Sequence, residues 1–171
     1  MGEKNTNQGF SDESLRQIAK QKVNFRFSVK IHIGVFVIVN LLLFIINLMT
    51  SISVLWVIYP FFGWLIGLAE HITAYTVYAR GVYPLAKRGV IFHTVAYIFV
   101  ISYLLIINLL TLPQYYWVAF PAVFWGSGLI IHWIAYTVYY RSKIDEEGEG
   151  RPRRERAIEK EIEKMKNKMN K

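Results

Sequence analysis

The chain has 171 residues, of which 54% are hydrophobic and 16% aromatic, and its formal net charge is +8. It contains no cysteine, which excludes disulfides, thiolate metal sites and redox-active thiols. The positive charge lies outside two long uncharged segments, a distribution that argues against nucleic-acid binding and favours contact with anionic lipid headgroups.

The two uncharged segments predict membrane spans. Residues 31–69 and residues 89–140 contain no Asp, Glu, Lys or Arg. Each segment is long enough for two crossings, because a transmembrane helix needs ~20 apolar residues. No signal peptide is visible, so the first span is expected to act as its own insertion signal.

The basic residues predict the orientation of these spans. All twenty Lys and Arg lie in three clusters: up to Lys30, from Arg80 to Arg88, and from Arg141 onward. The intervening loops near residues 50–55 and 111–116 contain none. This positive-inside pattern predicts a multi-pass protein of the cell membrane with cytoplasmic N- and C-termini.

In chain order, four segments are predicted. Residues 1–26 form a cytoplasmic tail with a short amphipathic helix, 27–80 a first transmembrane hairpin, 81–141 a second, and 142–171 a charged cytoplasmic tail. The last segment contains an amphipathic helix with Ile158, Ile162, Met165 and Met169 at 4-3-4 spacing. This helix can dock on a partner, pair in an oligomer, lie on the anionic membrane surface, or remain solvated and fray.

The two hairpins are copies of one sequence. A shift of 61 residues aligns the chain with itself without a gap, and 21 of 50 positions are identical between residues 31–80 and 92–141. The repeated pairs include His32/His93, Asn47/Asn108, Trp56/Trp117, Pro60/Pro121, Trp64/Trp125, Gly67/Gly128 and His71/His132. Such self-similarity predicts a tandem duplication. Because each unit has an even number of spans, the copies are expected to be related by a pseudo-two-fold axis along the membrane normal.

The repeated motif resembles that of the 2TM domain family. The residues that carry the resemblance are His32 and Asn47, followed by Trp56, Pro60, Trp64, Gly67-Leu68 and His71. The resemblance covers residues 19–80 and again 80–141. It departs at Phe124, where the first copy has Gly63. It implies pairs of short membrane helices and no defined activity.

Each second helix carries one stripe of repeated residues: Pro60, Trp64, Gly67, His71, Ala74 and Tyr78. Their 4-3-4-3-4 spacing places them on one helix face. The stripe predicts a packing seam, because small residues allow membrane helices to approach closely. Alternatively, the small residues leave room for a flat cofactor beside the histidine.

The four histidines, His32, His71, His93 and His132, are the candidate cofactor-binding residues. An ionisable residue inside a span is a functional hypothesis by default. Neutral imidazole can bind haem iron or a metal, relay protons, or serve only as a structural hydrogen-bonding group. We expect no cofactor. Haem is the cofactor of the alternative hypothesis.

Asn40 and Glu70 are the candidate proton or ion residues. Glu70 is the one charged side chain in mid-span, and both residues become Ile in the second copy, at Ile101 and Ile131. Their joint loss favours a hydrogen-bonded pair, because an unpaired polar group in hydrocarbon is costly. That pairing requires a wide loop over residues 51–59, with the second helix beginning near Pro60, and it places His71 roughly 10 Å deeper than His32. A protonated Glu70 bonded to Asn40 is the structural alternative to an ion site.

The sequence therefore predicts an all-α integral membrane protein and no enzyme. It contains no HExxH motif, glycine-rich phosphate loop or paired carboxylates within a span. We expect a scaffold, anchor or accessory module, in contact with lipid and with a second copy or another membrane protein. The alternatives are a bis-histidine haem or metal protein and a proton- or ion-conducting unit at Glu70.

Overall fold

The computed structural model describes residues 12–79, 85–140, 143–144, 150–151 and 153–169. These form helices α1 (Asp12–Thr50), α2 (Ile58–Ala79), α3 (Leu85–Thr111), α4 (Ala119–Ala135) and α5 (Arg153–Met169). Helix α4 continues as a π-helical segment, Tyr136–Tyr140. Within the described ranges, the only strands are an antiparallel pair of two residues each, β1 (Lys143–Ile144) and β2 (Gly150–Arg151). Apart from this short pair, the regular structure of the described residues is helical, which confirms the all-α prediction.

The chain divides into two compact units, Met1–Gly81 and Val82–Lys171. In the first unit α1 packs against α2, and in the second α3 packs against α4. These pairs are called the first and second hairpins below, and each is described by itself.

In the described part of the chain, three helical segments are long and apolar enough to cross a membrane: Asp12–Thr50, Ala86–Thr111 and Ala119–Tyr140. At most 17% of the most apolar window of each is buried. Apolar side chains exposed over this length need lipid around them, which identifies a membrane protein. Helix α2 has 22 residues, enough for about 33 Å, but Glu70, His71 and its tyrosine and tryptophan residues lower its hydropathy. A fourth span therefore stays a prediction.

Helix α1 is much longer than a bilayer is thick. Its 39 residues extend about 58 Å at 1.5 Å per residue, against about 30 Å of hydrocarbon. The short amphipathic helix predicted within residues 1–26 begins at Asp12 in the described structure and is continuous with the span. Its apolar residues Leu15, Ile18 and Val23 are exposed.

An asparagine closes the loop of each hairpin. Asn47 is fully buried and donates to the backbone oxygens of Ser51 (2.7 Å) and Val54 (2.8 Å). Its side-chain oxygen accepts from the backbone N–H of Val57 at 2.8 Å. One side chain therefore satisfies three backbone groups of an irregular segment, and the loop folds back beside the end of α1.

Asn108 repeats this arrangement in the second hairpin. It is also fully buried, donates to Leu112 and Tyr115 oxygens at 2.9 Å each, and accepts from Val118 N–H at 3.0 Å. Helices α2 and α4 accordingly begin two residues before Pro60 and Pro121. Each proline remains within the first turn, where a missing N–H leaves no intrahelical bond unmade.

The second hairpin has a close contact that the first hairpin lacks. The Tyr97 hydroxyl donates to the Ala122 oxygen at 2.9 Å. A Cβ added at Gly126 would lie 2.9 Å from the Tyr97 hydroxyl oxygen. The equivalent first-hairpin residues are Phe36 and Leu65. The first hairpin therefore has no hydroxyl at the tyrosine position and has a leucine side chain at the glycine position.

We expect Gly126→Ala to destabilise the second hairpin by about 1 kcal/mol, because the new methyl group displaces the Tyr97 hydroxyl. In a Tyr97→Phe background the same change should be neutral or stabilising, since alanine favours helix over glycine. Thermal unfolding of the four variants in detergent micelles measures this sign change. An equal loss in both backgrounds would show that Tyr97 does not set the requirement for glycine.

Helix α5 is amphipathic and contacts the π-helical segment of the same unit. Its stripe residues Ile158, Ile162 and Met165 remain 37%, 41% and 51% exposed. Most of the narrow apolar seam is thus not covered by the described part of the chain.

Candidate functional site

The histidines pair within each hairpin. The rings of His32 and His71 lie 4.7 Å apart, edge to face, and those of His93 and His132 lie 5.4 Å apart. The ring of Phe25 also stacks on Tyr78 at 5.5 Å. These contacts place residues equidistant from the Ser51–Ile52 turn at the same level.

The loop of residues 51–57 is nearly as wide as predicted, and α2 begins two residues before Pro60. The predicted register is nevertheless wrong, because His71 lies level with His32 and not deeper. The physical reason is the Asn47 cap described above. Because Val57 N–H is bonded to the Asn47 side chain, the loop residues 52–57 already run back alongside α1. Helix α2 therefore begins beside α1 and not beyond its end.

The second-hairpin histidines belong to a directed chain of hydrogen bonds. The Trp125 indole N–H donates to His93 Nε2 at 2.5 Å, and His93 Nδ1 lies 3.1 Å from His132 Nδ1. An indole nitrogen only donates, so His93 Nε2 is the acceptor. Neutral His93 then has its proton on Nδ1 and donates it to His132 Nδ1. This order leaves a proton on His132 Nε2.

The Nε2 atoms of His71 in α2 and His132 in α4 have different neighbours. Ser28 Oγ lies 3.1 Å from His71 Nε2. The equivalent position is Gly89, and a Cβ built there would lie 4.0 Å from His132 Nε2. In the first pair the Ser28 hydroxyl therefore contacts Nε2 of His71. In the second pair the Trp125 indole bonds Nε2 of His93.

The histidine pairs do not fit one bis-histidine haem each. An iron between two axial nitrogens separates them by about twice a ~2.0 Å metal–nitrogen distance, whereas the His93 and His132 Nδ1 atoms are 3.1 Å apart. The 4.7 Å edge contact of His32 with His71 likewise leaves no space for a porphyrin plane. In the described residues no group of three or more His, Asp or Glu side chains is placed to hold a metal.

Asn40 and Glu70 do not form the predicted contact. Asn40 Nδ2 donates to the Phe36 oxygen of its own helix at 2.8 Å. Among the described residues, Asn40 Oδ1 and Glu70 Oε1 have no hydrogen-bond partner. In the observed register, Glu70 lies near the level of Ile33, seven residues and roughly 10 Å along α1 from Asn40. The prediction of their pairing fails with the register on which it depended.

The repeated stripe of the second helix faces its partner helix only in part. Trp64 contacts Phe36 at 5.9 Å, and His71 and Tyr78 contact α1 as described above. The glycines of the stripe differ: a Cβ at Gly67 or Gly128 would have nothing within 4 Å. Close helix approach at these glycines does not occur within either hairpin, and the space beside them is open.

Comparison with known proteins identifies the family. A model of the 2TM domain matches residues 17–80 and residues 85–164. The second match extends beyond the hairpin into α5. Searches of curated proteins and of solved structures gave no match. The two family matches together cover most of the chain, so the protein belongs to the 2TM domain family and contains two tandem copies of that domain.

Proposed function

We propose that the protein is a membrane-embedded scaffold or anchor, an accessory module without enzymatic activity. In this proposal the two hairpins cross the cell membrane four times, and both termini and α5 lie in the cytoplasm. Each hairpin presents its second helix to a transmembrane helix of another chain. The observation that carries the proposal is the open space at Gly67 and Gly128.

These two glycines need an explanation that the hairpins do not supply. Glycine in a helix interior costs about 1 kcal/mol relative to alanine. Both glycines lie one turn before a histidine, are exposed, and occupy equivalent positions. Membrane helices use small residues where another backbone approaches closely, so a helix from a second copy of this chain is the partner that we propose.

Helix α5 provides the cytoplasmic attachment to the membrane in the proposed function. Residues 153–169 include seven Lys or Arg and four Glu, and the apolar stripe of this helix is exposed. A basic amphipathic helix is attracted to the anionic headgroups of the inner leaflet. Helix α5 would hold the scaffold's cytoplasmic end against the bilayer, and we propose no nucleic-acid partner.

Self-association tests the scaffold directly. Two differently tagged copies are co-expressed, solubilised in mild detergent and purified through one tag, and the recovery of the other is measured. Gly67→Leu with Gly128→Leu should reduce recovery about tenfold or more, since about 1.4 kcal/mol suffices for each factor of ten.

Gly34→Val is the matched control, because Gly34 also has open space around it but is Val95 in the second copy. It should leave recovery unchanged. Unchanged recovery in the double leucine variant, or an equal loss in the control, would contradict the proposed interface.

A further inference from the structure

The hydrogen bonds of the second histidine pair leave no ring nitrogen free to accept a proton. The Trp125 N–H donates to His93 Nε2, and His93 Nδ1 donates to His132 Nδ1. His132 Nε2 carries the remaining hydrogen, so each imidazole has one protonated nitrogen and one accepting nitrogen. The two nitrogens without hydrogen are thus the two acceptors of the chain, which is complete only while both histidines are neutral.

An added proton breaks this chain wherever it binds. On His93 Nε2 it opposes the Trp125 N–H, and the two nitrogens are 2.5 Å apart. On His132 Nδ1 it opposes the His93 N–H, at 3.1 Å. Moving the His93 hydrogen from Nδ1 to Nε2 restores the second bond and loses the first, because an indole nitrogen only donates. Each protonated arrangement of the pair therefore loses one hydrogen bond.

The first histidine pair can gain a proton without this loss. His71 Nε2 lies 3.1 Å from Ser28 Oγ, and a serine hydroxyl both donates and accepts. A proton on this nitrogen therefore reverses the hydrogen bond instead of breaking it. Within the described residues, Trp64, the counterpart of Trp125, makes no hydrogen bond to His32. The two hairpins should consequently respond differently to acid.

No negative charge on the helices of the second hairpin offsets a charged histidine pair. Residues 85–140 contain no Asp or Glu. The other titratable groups on the faces around His93 and His132 are the hydroxyls of four tyrosines, Tyr97, Tyr136, Tyr139 and Tyr140. Tyrosine changes charge at about pH 10, whereas histidine changes charge within about pH 5–8. In that range the histidines alone change charge on these faces.

The cations of the second hairpin lie on another side of α3. At 100° per residue, Lys87 and Arg88 lie about 120–140° around the helix from His93. The charged residues of α5 belong to a helix that packs against the π-helical segment, which begins one turn beyond His132. The pair is therefore held by its own hydrogen bonds and not by a neighbouring ion pair.

A charged His132 has open space beside it. Gly89 is exposed, and the nearest described atoms to a Cβ built there are Cε1 and Nε2 of His132, at 3.8 and 4.0 Å. Counted back ~20 residues from Thr111, the hydrocarbon core begins near Phe92. In the proposed topology Gly89 thus lies at the cytoplasmic surface, where water can solvate an imidazolium.

We propose that the His93–His132 pair is a proton-operated switch of the second hairpin. While both histidines are neutral, the chain holds α3 to α4. As the pH falls, the pair binds one proton from water, one hydrogen bond breaks, and α4 separates from α3 at this level. The sign follows from linkage: the separated hairpin binds more protons, so the closed hairpin loses stability as the pH falls. The switch does not depend on self-association, and only its cytoplasmic location rests on the proposed function.

Spin-label distances in the full chain test the switch. The chain has no cysteine, so labels at Lys87→Cys with Thr137→Cys report on the second hairpin, and labels at Arg26→Cys with Thr76→Cys report on the first. In detergent micelles, we expect the second-hairpin distances to lengthen reversibly between about pH 7.5 and about pH 5. The first-hairpin distances should stay constant. No change in the second hairpin, or an equal change in both, would overturn the proposal.

Trp125→Phe separates the hydrogen-bond chain from the charge of the histidines. Without the indole N–H, His93 Nε2 can hold a hydrogen while His132 donates to His93 Nδ1, so the added proton costs no bond. The pH response of the second hairpin should then disappear although both histidines remain. Trp64→Phe is the matched change in the first hairpin and should leave the response intact. A full response in Trp125→Phe would contradict the switch.

A glutamine variant keeps the proposal testable even if Trp125→Phe fails to fold. His93→Gln with His132→Gln retains donors and acceptors and removes the titration, so its second-hairpin distances should not change with pH. His32→Gln with His71→Gln is the control and should respond as the wild type does. A pH response that survives in the first of these double variants would overturn the proposal. A normal response in a protein that does not self-associate would reject only the scaffold.

Discussion

Replacing Asn47 with alanine should lower the free energy of unfolding of the first hairpin by about 3 kcal/mol, and Asn108→Ala should do the same in the second. Each change removes three hydrogen bonds and leaves two carbonyl oxygens and one N–H of a tight loop without partners. Because the asparagine is fully buried, water does not replace it without rearrangement of the loop. Thermal or denaturant unfolding in detergent micelles measures the loss.

Asn40 is the control for this prediction. It is a buried asparagine in the same helix, with 6% of its surface exposed. Its one hydrogen bond goes to a carbonyl oxygen of its own helix, and its side-chain oxygen has no partner in the described structure. Asn40→Leu should therefore be neutral or stabilising. A loss as large as that of Asn47→Ala would show that burial of an asparagine, and not the loop cap, carries the stability.

The second large effect is expected at His93. His93→Phe should destabilise the second hairpin by about 1–2 kcal/mol, because the Trp125 N–H loses its acceptor and His132 Nδ1 loses its donor. The indole N–H resonance of Trp125 should move upfield at the same time, as expected for loss of a short hydrogen bond. Unfolding in micelles and NMR of ¹⁵N-tryptophan-labelled protein measure both effects.

His32→Phe is the matched change in the first hairpin. His32 makes a ring contact with His71, and phenylalanine can preserve it. We expect a change within about 0.5 kcal/mol, as for a substitution away from any buried network. If His32→Phe were as destabilising as His93→Phe, the hydrogen-bond chain from Trp125 would not distinguish the two histidine pairs.

The helices and the duplication could be predicted from sequence because their signals are repetitive. Apolar runs without charge, the position of the basic clusters and the 61-residue shift are properties of many residues together. The family match over both copies confirms the tandem arrangement.

The register could not be predicted because it depends on hydrogen bonds to the backbone. Asn47 binds backbone groups of the loop, so the loop's side chains are free to vary. Residues 51–55 differ from residues 112–116 at every position, although both asparagines are retained. An unchanged asparagine before a changed loop was the available signal. The joint loss of Asn40 and Glu70 suggested a contact that the fold does not make.

The two histidine environments were hidden for a similar reason. All four histidines are repeated, which suggests one shared role. Trp64 and Trp125 are repeated too, but positions around them are not: Ser28 becomes Gly89, and Phe36 with Leu65 becomes Tyr97 with Gly126. Differences between the copies at contacting positions, more than identities, indicate how each pair is held.

Four membrane crossings by the two tandem hairpins are tested most directly by site-directed labelling. The chain has no cysteine, so single cysteines at Ser14, Ser53, Gln114 and Lys166 can be labelled in intact cells with a membrane-impermeant maleimide. Four crossings predict that Ser53→Cys and Gln114→Cys react from outside, and that Ser14→Cys and Lys166→Cys react only after permeabilisation. If α2 did not cross, Gln114→Cys would be protected and Lys166→Cys would react from outside, which would contradict the account.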